Sequence, residues 1–298
     1  MTPDQAQRWN AASDAPHQAL SGFQESLPVK LIATARQNFK TCRSDEAVSN
    51  VLDRNRDVCF DFLPVLGPNL ADSTVVGVLD MLRLTGLNNT AGTVRHHMET
   101  LAERHLIGAD ASVLTFIRDA DRHPFRFIVS GREINGLVSI SDLQRLPVRA
   151  ALFAIVTQLE MTMVEIVRCW FPEPEDWMRL LSQGRAQKVR EKVKRAKADD
   201  TLVDQLLYTE FCDKVTIINQ AWPSSVTGSL DKQSFQQNMK DIQSLRDNLA
   251  HVNNYAATRD LAKQLCACVR RMDDWISAMV DWGAEHTRTV PRLALEKD

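Results

Sequence analysis

DEAVSNVLDRNRDVCFDFLPV, residues 45–65, and DASVLTFIRDADRHPFRFIVS, residues 110–130, align without a gap when the chain is shifted by 65 positions. Asp45 falls on Asp110, Val48 on Val113 and Leu52 on Ile117, and the pairs Phe60, Phe62 and Phe125, Phe127 fall in register. Each copy reads as a helix, its apolar residues three to four apart, followed by a strand of alternating aromatic and aliphatic residues. A second strand follows in both, from Val75 to Leu79 and from Ile134 to Val138. The turn between strands is short in the second copy, Ser130 to Glu133, and longer in the first, Gly67 to Thr74. Neither helix-strand-strand-helix unit has enough core to stand alone. The two are therefore expected to form one α/β domain with internal pseudo-symmetry.

Working outward, the 298 residues are 44% apolar and 25% charged, enough for two packed cores and unlike a disordered, collagen-like or disulfide-stapled chain. A net charge of -2 excludes a bulk nucleic-acid coat, so an anionic partner needs a local basic patch. The six cysteines show no CxxC spacing and read as reduced core thiols, with no metal site expected. The longest apolar stretch, Ala150 to Val167, is interrupted by Thr157, Gln158, Glu160, Thr162 and Glu165, so no membrane span is expected. The first residues have neither a basic n-region nor an apolar h-region, and a cytoplasmic location follows as an expectation.

The second copy ends in Gly136-Leu137-Val138-Ser139-Ile140-Ser141-Asp142. A strand ending at Ser139 and a short helix starting near Asp142 would offer backbone N–H groups and a positive dipole end to a phosphate. Ser139 can add a hydroxyl donor, and the Asp142 carboxylate can accept from both hydroxyls of a ribose. The plainer reading makes Ser141 or Asp142 an N-cap. With the repeat, these residues resemble a tandem pair of CBS domains of β-α-β-β-α type covering roughly Leu27 to Leu146. That family's ligand motif is Gly, two apolar residues, Ser or Thr, two variable residues, then Asp. The resemblance implies an adenine-nucleotide or related adenosyl site on Gly136, Ser139 and Asp142. The first copy departs from the motif: Gly77-Val78-Leu79-Asp80-Met81-Leu82-Arg83 has Asp80 in the hydroxyl's place and Arg83 in the carboxylate's. At most one nucleotide per chain is expected, unless Arg83 grips a phosphate instead.

After Pro147 no strand signal remains. Helices are expected over Val148 to Trp170, Glu175 to Ala198, Leu202 to Trp222, Lys232 to Leu249 and Arg259 to Trp282, an antiparallel bundle with a loop at Pro223 to Gly228. The first is apolar around most of its circumference, which predicts burial against its own bundle and against a second copy in a homodimer. Glu160 and Glu165 on it read as rim residues. The last carries an inward stripe of Leu261, Leu265, Cys268, Met272, Trp275 and Met279. No phosphate loop, HExxH or serine elbow is present.

Near the end of the fourth helix stands Ser244-Leu245-Arg246-Asp247-Asn248-Leu249-Ala250-His251. His titrates near neutrality and can take a proton from a ribose 2'-hydroxyl, while Arg can hold the attacked phosphate as charge builds. The segment resembles the HEPN family of all-helical domains, whose ribonuclease members carry Arg, four to six residues, then His, commonly with a polar residue directly after the Arg. Roughly Val148 to Trp282 matches by helix count and order. The resemblance implies catalytic roles for Arg246, Asp247 and His251. With 25 Arg, seven His and three allowed spacings, chance supplies roughly 1.8 such pairs, and Arg118 to His123 in the repeat is one. Arg246 and His251 lie about 140° apart on an ideal helix, so two chains would have to combine their motifs into one groove. A basic run, with Arg185, Lys188, Lys192 and Arg195 on one helix face, is the candidate RNA patch.

The expected organisation is α+β: an N-terminal segment 1–26, a nucleotide-sensing CBS pair 27–147, a HEPN-like bundle 148–285 and a tail 286–298. The expected function is metal-independent RNA cleavage controlled by a nucleotide, with no cofactor required. The alternative is a non-catalytic regulatory or interaction protein.

Overall fold

In a computed structural model of the chain, the described residues are 22–23, 26–69, 73–86, 91–199, 203–222, 230–251 and 253–289, those at 199 and 284–289 by backbone alone. Most of the expected segment 1–26, the Pro223 to Gly228 loop and most of the tail 286–298 lie outside them. The fold is α+β. Two compact units form: Phe23–Ala151 with Asn254–Cys266, and Leu152–Asn253 with the residues from Ala267 onward.

The first unit holds two four-stranded sheets. In one, β2 (Cys42–Arg43) runs parallel to β3 (Phe62–Leu66), which is antiparallel to β4 (Val75–Asp80), with β5 (Glu99–Thr100) at the edge. In the other, β6 (Leu106–Gly108) runs parallel to β7 (Phe125–Ser130), which is antiparallel to β8 (Glu133–Ser139), with β1 (Thr34–Ala35) at the edge. Helices α1 (Val48–Asn55) and α3 (Val113–Ile117) connect the parallel pairs, and α2 (Met81–Thr85) and a 3-10 helix (Ile140–Gln144) follow β4 and β8. The two copies exchange edges: β1, which precedes the first copy, joins the second copy's sheet. The motif glycines make room for these edges. A Cβ at Gly77 would stand 2.3 Å from the Glu99 carbonyl oxygen, and one at Gly136 3.1 Å from that of Thr34.

The repeat is real, but its register changes partway. Cys42 pairs with Val65 and Ile107 with Ile128, while Val65 pairs with Gly77 and Ile128 with Gly136. The offset between copies is therefore 107 − 42 = 65 before the helix and 128 − 65 = 63 on the strand. Phe62, not Phe60, is the counterpart of Phe125, and their rings meet at 5.2 Å. The first copy carries two extra residues between α1 and β3, where Cys59 adopts the left-handed region at φ 50°. Ungapped similarity hid this slip because Phe60 and Phe62 are two apart, and a shift of two leaves strand alternation intact.

The second unit is helical: the rest of α4 (Leu146–Trp170), then α5 (Pro174–Met178), α6 (Gln183–Asp199), α7 (Phe211–Gln220), α8 (Lys232–Ala250) and most of α9 (Arg259–Thr289). The helix expected over Glu175 to Ala198 is two, interrupted at Arg179–Ser182, where the Ser182 hydroxyl accepts from the Arg185 N–H and starts α6 afresh. The one expected over Leu202 to Trp222 is a 3-10 turn (Gln205–Tyr208) and the shorter α7. The stripe of α8, Phe235, Met239, Ile242, Leu245 and Leu249, is buried. That of α9 is buried from Leu265 to Met279, but Leu261 is exposed and Ala262 takes the inward place. Phe235, Trp222, Trp275 and Trp282 form an aromatic cluster.

By length and composition α4 is apolar enough to cross a membrane, which the five polar interruptions did not suggest, yet 61% of its most apolar window is buried within the protein. Its exposed line carries Leu146, Phe153 and Met161. None of the six cysteines is joined in a disulfide; Cys42, Cys266 and Cys268 are buried as expected, whereas Cys59 is exposed. Burial pushes the Cys42 thiol up to about 12.

Candidate nucleotide cavity and helical motif

Gly136, Ser139 and Asp142 share the end of β8 and the 3-10 helix behind it. Ser139 and Asp142 line a cavity of about 250 Å³. Around them stand Phe39, Phe60 and Phe62, two cations, Lys40 and Arg145, and a second acid, Asp61. Gly136 does not line it; its role is the close approach of β1.

Asp142 is engaged on both oxygens. Oδ2 accepts from the Ser139 backbone N–H at 2.8 Å and from its hydroxyl at 3.2 Å, and Oδ1 accepts from Arg145 Nε at 2.7 Å. Neither Ser141 nor Asp142 is the N-cap: Ser139 takes that place, and Asp142 stands at the third helical position in a capping box with it. Burial raises the Asp142 carboxyl above the usual carboxylate range, against the pull of the Ser139 N–H and Arg145. Next to it the Ser141 hydroxyl donates to Asp61.

The helix-dipole argument for a phosphate does not carry over. The segment is a five-residue 3-10 helix; its Ile140 N–H donates to the Pro124 carbonyl at 2.7 Å, and the Ser139 N–H is spent on Asp142. Positive charge at the cavity comes from Lys40 and Arg145 instead. Sequence reasoning missed both, together with the aromatic walls. Only Arg145 had a local signal, its spacing of three from Asp142.

In the first copy Asp80 caps α2, accepting from the Arg83 N–H at 3.1 Å, and its other oxygen pairs with Arg259 at 3.4 Å. Arg83 points to Glu99 at 4.0 Å and is 67% exposed. Among the described residues no group of three His, Cys, Asp or Glu is placed to hold a metal ion.

In the helical unit Arg246 lies half-buried on α8, with its Nε 3.7 Å from Glu160 and its Nη1 3.9 Å from Asp247. His251 is the exposed residue that caps α8, its backbone N–H donating to the Asp247 carbonyl at 3.0 Å. Glu160 is not a rim residue: it joins α4 to Arg246 and to Lys214, whose buried Nζ donates to Glu160 at 3.1 Å and to the Thr209 carbonyl at 2.9 Å. Glu165 is exposed and pairs with Arg168. A hidden cation such as Lys214 leaves no trace in helical periodicity, so sequence reading passed over it.

The basic face of α6 is partly neutralised. Arg185 grips the buried Asp213 through Nε and Nη2 at 2.8 and 2.6 Å, and Lys192 meets Glu210 at 3.2 Å. Burial alone would raise the Asp213 carboxyl; Arg185 and the Glu210 N–H outweigh it and hold it below the usual range. Lys188, Lys194, Arg195 and Lys197 remain exposed.

The N-terminal part is similar to solved CBS domains. That of a bacterial CNNM/CorC family Mg2+ transporter, in complex with ATP, is 17% identical and covers 42% of this chain and 89% of its own, with a TM-score of 0.36. CBS domains of a transcriptional regulator from Streptococcus pneumoniae are 20% identical over 38% and 92%, with a TM-score of 0.32. CBSX2 in complex with AMP is 19% identical over 42% and 97%, with a TM-score of 0.34. No model of a known protein family matches the chain, and no curated protein does.

Proposed function

We propose that this protein is an adenine-nucleotide sensor: its CBS-like pair binds one nucleotide in the Ser139–Asp142 cavity and thereby controls the helical unit. The observation that carries this reading is the meeting, in one cavity, of aromatic walls, a carboxylate and two cations. A base stacks among the phenylalanines. The ribose hydroxyls take Asp142 Oδ1 from Arg145, and the released guanidinium, with Lys40, meets the phosphate. Calorimetry with AMP, ADP, ATP and S-adenosylmethionine tests this, with no binding by any of them as the adverse result.

In the same reading the helical unit is a HEPN-type ribonuclease, with His251 as base, Arg246 stabilising the transition state and Asp247 beside it. Its support is the sequence motif and the exposure of His251 and Asp247 at the end of α8. Glu160 now shields Arg246, so RNA phosphate has to displace that carboxylate. A homodimer through the exposed line of α4 completes the composite groove. Digestion of generic RNA in EDTA, with and without nucleotide, separates this enzyme from the rival, a regulatory protein that only binds.

A further inference from the structure

Residues 254–266 follow the Arg246-to-His251 motif in the chain, yet they belong to the unit built from the CBS-like pair. They are gripped at two points. With its amide oxygen turned toward them, the orientation that satisfies both ends of the amide, Gln144 accepts from three successive backbone N–H groups: Tyr255 at 3.3 Å, Ala256 at 2.8 Å and Ala257 at 3.0 Å. Three N–H groups converging on one point form a concavity suited to an anion, here filled by a side-chain carbonyl. The Tyr255 ring also lies under the Arg149 guanidinium at 5.0 Å, and its buried hydroxyl has no hydrogen-bond partner.

The second grip is at the first copy's altered motif. Arg259 pairs with Asp80 at 3.4 Å, and its guanidinium lies 5.5 Å from the centre of the Phe62 ring. Asp80 and Phe62 are partners across β3 and β4, as Ser139 and Phe125 are across β7 and β8. Arg259 therefore occupies, in the first copy, the position equivalent to the hydroxyl corner of the nucleotide cavity. This accounts for the acid at position 80: an aspartate repels a phosphate and holds an arginine.

Each grip lies one step from the cavity. Gln144 is the last residue of the 3-10 helix that carries Asp142, and Phe62 lines the cavity wall. We infer that residues 254–266 are a strap, with Arg259 as a built-in occupant of the first copy's site, through which nucleotide in the second copy's cavity acts on α9. α9 starts at Arg259 and continues into the helical unit, so the strap joins ligand site to output without a separate relay. The ligand half of this inference rests on the proposed nucleotide binding; the strap itself does not.

Hydrogen exchange on the full chain tests both halves. Without ligand, Arg259→Ala and Gln144→Leu each raise exchange of the amides of Tyr255 to Leu265 about tenfold, leaving β3 and β7 unchanged, and Arg259→Lys restores part of the protection. Unchanged exchange in both variants overturns the strap, and loss of protection throughout the unit assigns Arg259 a merely structural role and overturns it equally. With saturating AMP or ATP, exchange of the same amides changes at least threefold in the wild type but not in Gln144→Leu, which still binds nucleotide by calorimetry because Gln144 does not line the cavity. A nucleotide response absent in the wild type, or intact in Gln144→Leu, refutes the coupling. Absence of nucleotide binding by calorimetry counts against the ligand reading, and the ligand-free comparison still decides the strap.

Discussion

Replacing Asp142 by Asn keeps an oxygen for the Ser139 N–H, which the carboxylate now holds at 2.8 Å, and removes the charge that faces the cavity. A hydrogen bond to a charged acceptor contributes about 1.5–3 kcal/mol and a neutral one about 0.5–1.5 kcal/mol. Two ribose hydroxyls therefore lose about 2–3 kcal/mol between them. Against this stands the Arg145 pair that the ligand must break in the wild type, half-exposed at Arg145 although Asp142 is largely buried, and worth about 1 kcal/mol. The net loss is about 2 kcal/mol, roughly thirtyfold in Kd. Calorimetry with AMP and 2'-deoxy-AMP on both proteins isolates the contact as a double-mutant cycle. In the wild type the deoxy ligand binds about tenfold more weakly, and in Asp142→Asn the gap shrinks to about twofold, while Arg83→Ala behaves as the wild type. A gap of equal size in both proteins would refute the ribose assignment. The raised Asp142 carboxyl adds a pH test with adenosine, which has no phosphate to titrate. Binding needs the carboxylate, so affinity falls on acidification from a pH above the ordinary aspartate value of about 3.9. Linkage runs the other way for stability: the Asp142 contribution is full below the unfolded value and lost as pH rises through the folded one, so the Asn variant is not weakened at neutral pH by losing the charge.

If His251 is the base, His251→Ala and Arg246→Ala each reduce RNA cleavage by about a hundredfold to ten-thousandfold without loss of fold, with a cyclic 2',3'-phosphate product, indifference to EDTA and no effect of His123→Ala; cleavage persisting in His251→Ala assigns the base elsewhere. Light scattering gives a dimer that Phe153→Asp with Met161→Asp converts to monomer, and a wild-type monomer at micromolar concentration removes the composite groove. Gly77→Ala costs about 1–3 kcal/mol of stability by urea denaturation, more than Gly136→Ala, because its added methyl meets backbone at 2.3 Å rather than 3.1 Å; the reverse order would contradict the exchanged-edge account.

Period and repeat made the architecture legible. The inward residues of α8 and the helix side of the repeat, Val48 on Val113, could be read directly, since burial imposes a spacing that survives without any alignment. The two-residue slip before β3 could not, because it preserves strand alternation. The motif residues Ser139 and Asp142 were visible because their chemistry is local. Lys40, Phe62 and Arg259 were not, because they reach their sites through tertiary contacts that no spacing encodes, and Arg145 left only its spacing of three from Asp142. The same limit applies to Glu160, whose place on an apolar helix suggested a rim while Lys214 and Arg246 drew it inward.

The most direct test of the account is a crystal structure of the full chain grown with AMP. It predicts one AMP per chain, its ribose hydroxyls on Asp142, its phosphate near Arg145 and Lys40, and Arg259 still on Asp80 in the first copy. AMP bound at Asp80 and Arg83, or a cavity at Ser139–Asp142 left without ligand at millimolar AMP, would contradict it.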